Sequence, residues 1–389
     1  MEDKKNKKIA IFLSSFRAGG GERNLVNLAN GFADLGFKVD MPVIKPVGQY
    51  KEQVKEGINI IDLNVGRIIF SIPKMISYLK KNKPDILIAT DEFTHIISLV
   101  SKKIARVETK VVFRMGNMFS ILFSQYKGFK QGFLIPFITK RIYKYSDIFI
   151  ANSFGVADDI SKVFKIPKDK IKVIHNPKSV EEIKRMGKEK TGHIWLDNKD
   201  LPVILFVGRL RVQKDIPTLM KAFKEVRKNV PSRILFVGIG REQKKMEELA
   251  KELGVREDVD FFGFSENSYS FMTKADVFVT TSIWEGFSNS LQEAMVCGVP
   301  VVATDCSSGP REMIAPDTDL LYRMDEGIEY GKYGILVPMG GVKETSEAVQ
   351  KLLSDKGLRE KYSGLSLMRG EDFDSKKILN QYLKALDLE

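Results

Sequence analysis

Ala275-Asp276-Val277-Phe278-Val279-Thr280, then Trp284-Glu285-Gly286-Phe287-Ser288-Asn289-Ser290-Leu291-Gln292-Glu293-Ala294-Met295, closed by Cys297-Gly298-Val299-Pro300, is the stretch that decides the fold. Its first part is a short, β-branched apolar run, the mark of a buried parallel strand. Its second part has helical patterning that opens at Ser288 or Asn289, both natural N-caps, and stops at the Gly-Val-Pro break. A strand feeding a helix in this way is the repeating unit of an α/β sheet. The helix start turns the N–H groups of Ser290 and Leu291 towards the space beyond the strand's carboxyl end, where open α/β sheets take phosphorylated ligands. Glu285 precedes the helix and Glu293 lies about one turn into it; eight residues at helical rise span roughly 12 Å. An acid near a helix start also gains roughly 0.3–1 kcal/mol from the macrodipole alone. The pair therefore gains meaning only from the rest of the chain.

The same alternation runs outward in both directions. On the amino-terminal side, Lys8–Ser14, Lys38–Ile44, Ile58–Leu63, Asp85–Ala89, Lys110–Arg114, Ile148–Asn152 and Lys172–His175 are expected strands. Helical patterns separate several of them, such as Glu22–Leu35 with Leu25, Leu28, Ala29 and Phe32 on one face. In the second half the expected strands are Val203–Val207, Arg233–Val237, Val259–Phe262, Val277–Thr281, Val299–Ala303 and Gly334–Val337. At 389 residues the chain is too long for one ordinary core. The expectation is two α/β domains with parallel sheets, residues 1–180 and 181–372, and a last helix at about 373–389. The charged stretch Lys178–Asp200 suits a linker with a lead-in helix. Ala315–Lys332 is polar and irregular and is expected as an exposed loop or insertion.

Composition narrows the function. No stretch reaches the ~18 apolar residues needed to span a bilayer. The basic start followed by Ile9-Ala10-Ile11-Phe12-Leu13 has the outline of a signal peptide, but the run is short and no small-residue cleavage site follows, so a first strand is expected. Two cysteines, Cys297 and Cys306, make no disulfide framework, which points to the cytoplasm. His95, His175 and His193 are scattered without metal-ligand spacing, and no metal is expected. The net charge of +12 is uneven: residues 1–180 carry 31 Lys and Arg against 16 Asp and Glu, a balance of +15, and the remainder carries −3. A basic first half suits an anionic partner. No zinc finger, RNP-type strand or basic heptad points to nucleic acid. An anionic membrane surface or a phosphate-bearing acceptor fits better, and Tyr126–Tyr145 interleaves aromatic, aliphatic and basic residues as an interfacial segment does. The plainer alternative for that segment is a core helix broken by Pro136.

Two loops invite a phosphate. Phe16-Arg17-Ala18-Gly19-Gly20-Gly21-Glu22-Arg23 lies between the first strand and the first helix, and its glycines let backbone approach a ligand closely. Asp40 stands near where a ribose-binding acid would, but no dinucleotide fingerprint is complete: Asn24 and Gln243 occupy the third-glycine positions after Gly19-x-Gly21 and Gly238-x-Gly240. Gly208-Arg209-Leu210-Arg211-Val212-Gln213-Lys214-Asp215 places two cations five residues apart at a strand's carboxyl end. Arg209 and Lys214 suit a diphosphate clamp that steadies a departing nucleotide diphosphate. A nucleotide-sugar would then span the later stretch, with diphosphate on the helix start, ribose near Glu293 and sugar near Glu285.

The order of these pieces resembles the retaining, two-domain glycosyltransferases of family 4, with the GT-B architecture. The markers are Gly19-Gly20-Gly21-Glu22, Ala151-Asn152-Ser153, Val173-Ile174-His175-Asn176-Pro177, Gly208-Arg209-Leu210 with Lys214, Gly238-x-Gly240, Phe262-Gly263-Phe264, Glu285-Gly286-Phe287-Ser288-Asn289 with Glu293-Ala294, and Ala303-Thr304-Asp305 followed by Gly309-Pro310-Arg311-Glu312. The resemblance implies two Rossmann-like domains facing an interdomain cleft. The first would bind the acceptor and the second a nucleotide-sugar, with a UDP-sugar as the expected donor. It implies Arg209 and Lys214 on the diphosphate, Glu293 on the ribose and Glu285 at the donor sugar. The backbone of Phe287, Ser288, Asn289, Ser290 and Leu291 would contact sugar and phosphate, next to Gly286. Gly20 and Gly21 would approach the phosphate from the other domain. Phe264 would line the base pocket beside Gly238, and the last helix would cross back onto the first domain. Retention without a metal is implied, so no cofactor is expected.

The chain departs from the family on the acceptor side. Where some relatives carry a histidine, this sequence reads Ala89-Thr90-Asp91-Glu92-Phe93, with His95 further on. Asp91, Glu92 or neither would be the acceptor-side base. Arg114 would bind an acceptor phosphate or serve as a buried structural residue. The expected function is transfer of a sugar to a glycan or lipid-linked acceptor by a cytoplasmic enzyme, peripheral on the membrane. The alternatives are a nucleotide-sugar epimerase on the same fold, or a catalytically idle glycan-binding partner subunit.

Overall fold

The computed structural model describes residues 7–17, 19–127 and 134–389. Two compact units emerge, Met1–Lys178 with Ser375–Glu389, and Ser179–Asp374. Each is built on a seven-stranded sheet.

In unit 1 the strands are β1 Lys8–Phe12, β2 Lys38–Val43, β3 Asn59–Asp62, β4 Ile86–Ala89, β5 Lys110–Met115, β6 Ile148–Ala151 and β7 Ile171–Val173. Their order is β3-β2-β1-β4-β5-β6-β7, and every pairing is parallel. The strands are near-continuous apolar runs because helices cover both faces of a parallel sheet. The helix Gly20–Asp34 buries Leu25, Leu28, Ala29 and Phe32, one turn of apolar stripe after another. The carboxyl-terminal helix Ser375–Ala385 belongs to this unit. It buries Ile378, Leu379 and Tyr382 in the same cluster as Phe32, worth roughly 1.5–3 kcal/mol for each large apolar side chain. Gly31 is what lets it approach: a Cβ there would lie 2.3 Å from Leu379 Cδ1.

In unit 2 the strands are β8 Val203–Val207, β9 Arg233–Val237, β10 Val259–Gly263, β11 Val277–Thr280, β12 Val301–Thr304, β13 Glu329–Tyr330 and β14 Ile335–Val337. The order is β10-β9-β8-β11-β12-β14-β13, parallel except for the short antiparallel edge pair β13–β14. Strand β13 is only two residues long and was not among the expected strands. The stretch expected as a linker folds into unit 2: helices Val180–Gly187 and Ile194–Asp197 bury Val180, Ile183 and Leu196 against β8 and its neighbours. Pro136 lies in the first turn of the helix Ile135–Ile142, where a proline forfeits no internal hydrogen bond. The preceding residues 128–133 of that basic, aromatic segment lie outside the described residues.

Candidate active site

The strand order of unit 2 turns back at β8, with β9 on one side and β11 on the other. Ile204 sits opposite Val277 and Leu205 opposite Phe278, so the loops leaving β8 and β11 emerge side by side. This is the switch point at which open α/β sheets bind ligands. The two loops are stitched together. Ile283 N–H donates to the Gln213 carbonyl at 2.9 Å and Gln213 Nε2 to the Trp284 carbonyl at 2.8 Å. The Thr281 hydroxyl donates to the carbonyls of Lys214 and Asp215, each at 3.0 Å. Lys214 Nζ consequently lies 2.5 Å from Glu285 Oε1, with the two side chains only 14% and 9% exposed. The Ser282 hydroxyl donates to the same carboxylate oxygen at 2.7 Å. Cys306 faces this pair, and burial, then the Glu285 charge, push its thiol up to about 12. It stays protonated and unreactive.

On the other flank of β8, Leu210 N–H donates to the Ile239 carbonyl at 3.1 Å. A Cβ on Gly238 would meet the Gly208 carbonyl oxygen at 2.0 Å, and one on Gly240 the Leu210 oxygen at 2.0 Å. This close approach of backbone accounts for both glycines. Arg209 is exposed on this rim. Its charge, followed by burial and by Arg241, holds the Arg211 guanidinium below its usual value, so three cations share the ridge.

The loop from Glu285 runs into the helix Asn289–Val296. Ser288 stands at the N-cap, but its side chain makes no capping hydrogen bond, and its hydroxyl is buried without a partner. Of the two expected N-cap residues the structure uses Ser288, without a side-chain capping bond. Gly286 is held by the Ser308 hydroxyl, which donates to its carbonyl at 2.7 Å. Phe287 is buried with its ring edge-on to Phe373, 5.7 Å between centroids. Leu291 and Glu293 are buried and Ser290 half-buried. Phe264 is nearly half exposed just past β10.

Unit 1 has its own switch point at β1, between β2 and β4. The Ser14 hydroxyl donates to Asp91 Oδ2 at 3.0 Å. Asp91 Oδ1 accepts the N–H groups of Phe93 and Thr94, closing a capping box on the helix Glu92–Ala105. Burial pushes the Asp91 carboxyl up against the pull of these bonds. Burial also pushes Glu92 up, although it accepts a hydrogen bond from the Tyr126 hydroxyl. His95 is fully buried between the Tyr143 hydroxyl and the Ala89 carbonyl, and burial lowers it to about 3. Arg114 is buried too. Its Nε donates to the Tyr382 hydroxyl at 3.0 Å and its Nη2 to Asn176 Oδ1 at 2.6 Å, which ties β5 to the carboxyl-terminal helix. Gly20 and Gly21 open the helix Gly20–Asp34. The Glu22 carboxylate folds back over that helix start: a Cβ on Gly19 would sit 2.2 Å from Glu22 Oε2, whereas around Gly21 there is open space.

Two family models match in tandem. Residues 18–182 match Glycosyltransferase Family 4, and residues 187–364 match Glycosyl transferases group 1. The chain belongs to the family 4, group 1 glycosyltransferases. An uncharacterised glycosyltransferase of Methanocaldococcus jannaschii is 28% identical, covering 79% of this chain and 80% of its own length. The N-acetylgalactosamine-N,N'-diacetylbacillosaminyl-diphospho-undecaprenol 4-alpha-N-acetylgalactosaminyltransferase of Campylobacter jejuni is 27% identical over 97% of this chain and 99% of its own. Among solved structures, Anabaena HepE in complex with UDP is similar with a TM-score of 0.78 at 20% identity, covering 98% of this chain and 99% of that one. The fold is accordingly GT-B, two Rossmann-like parallel-sheet domains.

For this glycosyltransferase, the sequence singled out Lys214 and Glu285, which the structure brings together, but not the two hydroxyls beside Glu285 and Gly286. Ser282 and Ser308 each bond to the Glu285–Gly286 segment. The polar cluster Thr280-Thr281-Ser282, directly after an apolar strand, was the available signal. Among the described residues no group of His, Cys, Asp and Glu is arranged to hold a metal ion. No helix among them is long and apolar enough to cross a membrane.

Proposed function

We propose that this glycosyltransferase moves a hexose or N-acetylhexosamine from a UDP-linked donor to a glycan or lipid-linked acceptor, with retention of configuration. The observation that carries the proposal is the buried Lys214–Glu285 pair at the switch point of unit 2. A buried lysine and carboxylate held 2.5 Å apart suit a substrate that is anionic at one end and hydroxylated at the other. On donor binding, Lys214 turns its charge to the diphosphate alongside Arg209, and Glu285 accepts hydrogen bonds from the sugar. Glu293 takes the ribose. The uncapped start of Asn289–Val296 and the unpartnered Ser288 hydroxyl take diphosphate oxygens. As the glycosidic bond to the diphosphate breaks, these cations and N–H groups stabilise the departing charge. Attack by the acceptor hydroxyl on the same face then needs positioning more than a protein nucleophile.

The donor assignment draws on the similar Anabaena protein, solved with UDP and with UDP-glucose. The acceptor assignment draws on the Campylobacter jejuni relative, named for a diphospho-undecaprenol-linked acceptor. Unit 1 would receive that acceptor, with Asp91 and Glu92 as the acceptor-side acids. Its helix Ile135–Ile142 and the following turn expose Phe137 and Tyr145 next to Lys140, Arg141 and Lys144. That is the chemistry of a peripheral contact with an anionic membrane. A thermal-shift screen against UDP, GDP, ADP and their sugars tests the donor. UDP-sugars at 100 times Kd stabilise the native state by about 2.7 kcal/mol. Sugar interconversion without any acceptor would instead indicate an epimerase.

A further inference from the structure

The segment Ala315–Lys332, expected as an exposed loop or insertion, is largely exposed but is anchored at a few points. Asp305, fully buried, receives two bonds from Arg311 Nε at 3.1 Å and one from Arg311 Nη2 at 2.6 Å. Arg311 Nη2 also donates to Glu329 at 2.8 Å, and its Nη1 to the Thr318 hydroxyl at 3.1 Å. The Met324 N–H donates to Asp305 Oδ2 at 2.9 Å. The segment is thereby clamped beside the turn that follows β12. Arg323 then reaches back from the segment: its Nη2 donates to the Ser307 carbonyl, while Nη1 braces the Leu320 and Tyr322 carbonyls. The next residue, Ser308, holds the Gly286 carbonyl. Gly309, at φ 92°, lies so close to the same loop that a Cβ would be 3.1 Å from Phe287 Cα. A continuous chain of contacts thus runs from Arg323 through Ser307–Gly309 to the loop that carries Glu285.

We infer that Arg323 is a positioning residue for recognition of the donor sugar, acting through the Ser307–Gly309 turn on the Glu285–Phe287 segment. The inference rests on the donor reading proposed above. Arg323 touches no reacting atom; it fixes the height and tilt of the backbone that presents Glu285. Loss of that brace loosens the sugar end of the site and leaves the diphosphate end, carried by Arg209, Lys214 and the start of the helix Asn289–Val296, as it was.

The test measures UDP affinity by calorimetry and donor kinetics for the full chain and for Arg323→Ala, Arg323→Lys, Ser308→Ala and the double variant Arg323→Ala/Ser308→Ala. Arg323→Ala is expected to bind UDP within about 2-fold of wild type. Its KM for the UDP-sugar rises about 10-fold with kcat changed less, and its preference between epimeric UDP-sugars narrows, in the range set by one lost sugar contact. Arg323→Lys, which keeps the charge but not the fork, recovers part of the preference. Ser308→Ala reproduces the defect, and the double variant is no worse than the worse single, as members of one chain of contacts must behave. Unchanged sugar preference in Arg323→Ala, a parallel loss of UDP affinity, or multiplicative losses in the double variant would each overturn the inference. A wild-type protein that binds no UDP would overturn the donor reading itself, a distinct result.

Discussion

Lysine 214 and glutamate 285 are expected to show opposite couplings in stability and in activity. At 2.5 Å and an effective dielectric of about 20 the two charges attract by roughly 7 kcal/mol. Withdrawing each ion from water costs several kcal/mol, so the intact pair contributes little in net terms. Removing one partner is different. Lys214→Ala leaves a carboxylate that is 9% exposed with the Ser282 hydroxyl as its remaining close donor, at a cost of about 3–5 kcal/mol. For a unit of this size that lowers Tm by roughly 6–20 °C. Glu285→Ala strands the lysine and costs a similar amount. Lys214→Ala/Glu285→Ala removes both charges and regains most of the loss, giving a strongly favourable coupling in the double-mutant cycle. Transfer behaves otherwise: each single variant loses at least ~100-fold, as when a charge-stabilising group is deleted, and the double recovers none of it. The assay is thermal unfolding of the set beside turnover at 20 °C, where circular dichroism checks folding. Additive stability losses would refute the buried pairing, and wild-type-like turnover in either single variant would refute its place in the site.

Other outcomes follow from the same structure. Transfer is expected to survive excess EDTA, because in the proposed site the diphosphate charge would be met by Arg209, Lys214 and helix N–H groups; strict dependence on an added divalent ion would contradict this. Co-sedimentation with anionic vesicles should exceed that with neutral ones and fall in a variant with Lys140, Arg141 and Lys144 changed to glutamine; equal, negligible binding to both lipids would end the membrane proposal. His95 is lowered to about 3 by burial, whereas an unfolded histidine titrates near 6.5. Below about pH 6.5 the unfolded chain takes up a proton that the native core refuses, so stability present at neutral pH is lost as pH falls towards 3, by up to about 1.4 kcal/mol per pH unit. Hydrogen exchange in β4 and β5 at pH 7 and pH 5 should show roughly 2 kcal/mol of this loss in wild type and none of it in His95→Gln; matching profiles would show that His95 is not held neutral.

The fold was legible because parallel strands buried on both faces must be apolar throughout. Val203–Val207 and Val277–Thr280 advertise themselves for that reason. Lys214 and Glu285 could be singled out because each lies in a loop that follows an apolar strand, near a glycine. What remained hidden was set by tertiary pairing. Nothing local says that Lys214 and Glu285, 71 residues apart, share a hydrogen bond; the order β9-β8-β11 does that. Arg114 looks the same in sequence whether it meets a ligand or, as in the structure, Tyr382 at the far end of the chain. Ala315–Lys332 reads as an exposed loop, and its anchoring is hidden because it comes from one buried arginine, Arg311, rather than from periodic apolar residues.

Calorimetric titration of UDP into the wild-type chain and into Lys214→Ala probes the donor site itself. A nucleotide-sugar site built on Lys214 predicts saturable one-to-one binding to wild type and at least ~100-fold weaker binding to the variant. Absence of binding by any nucleoside diphosphate, or equal affinity in the two proteins, would contradict it.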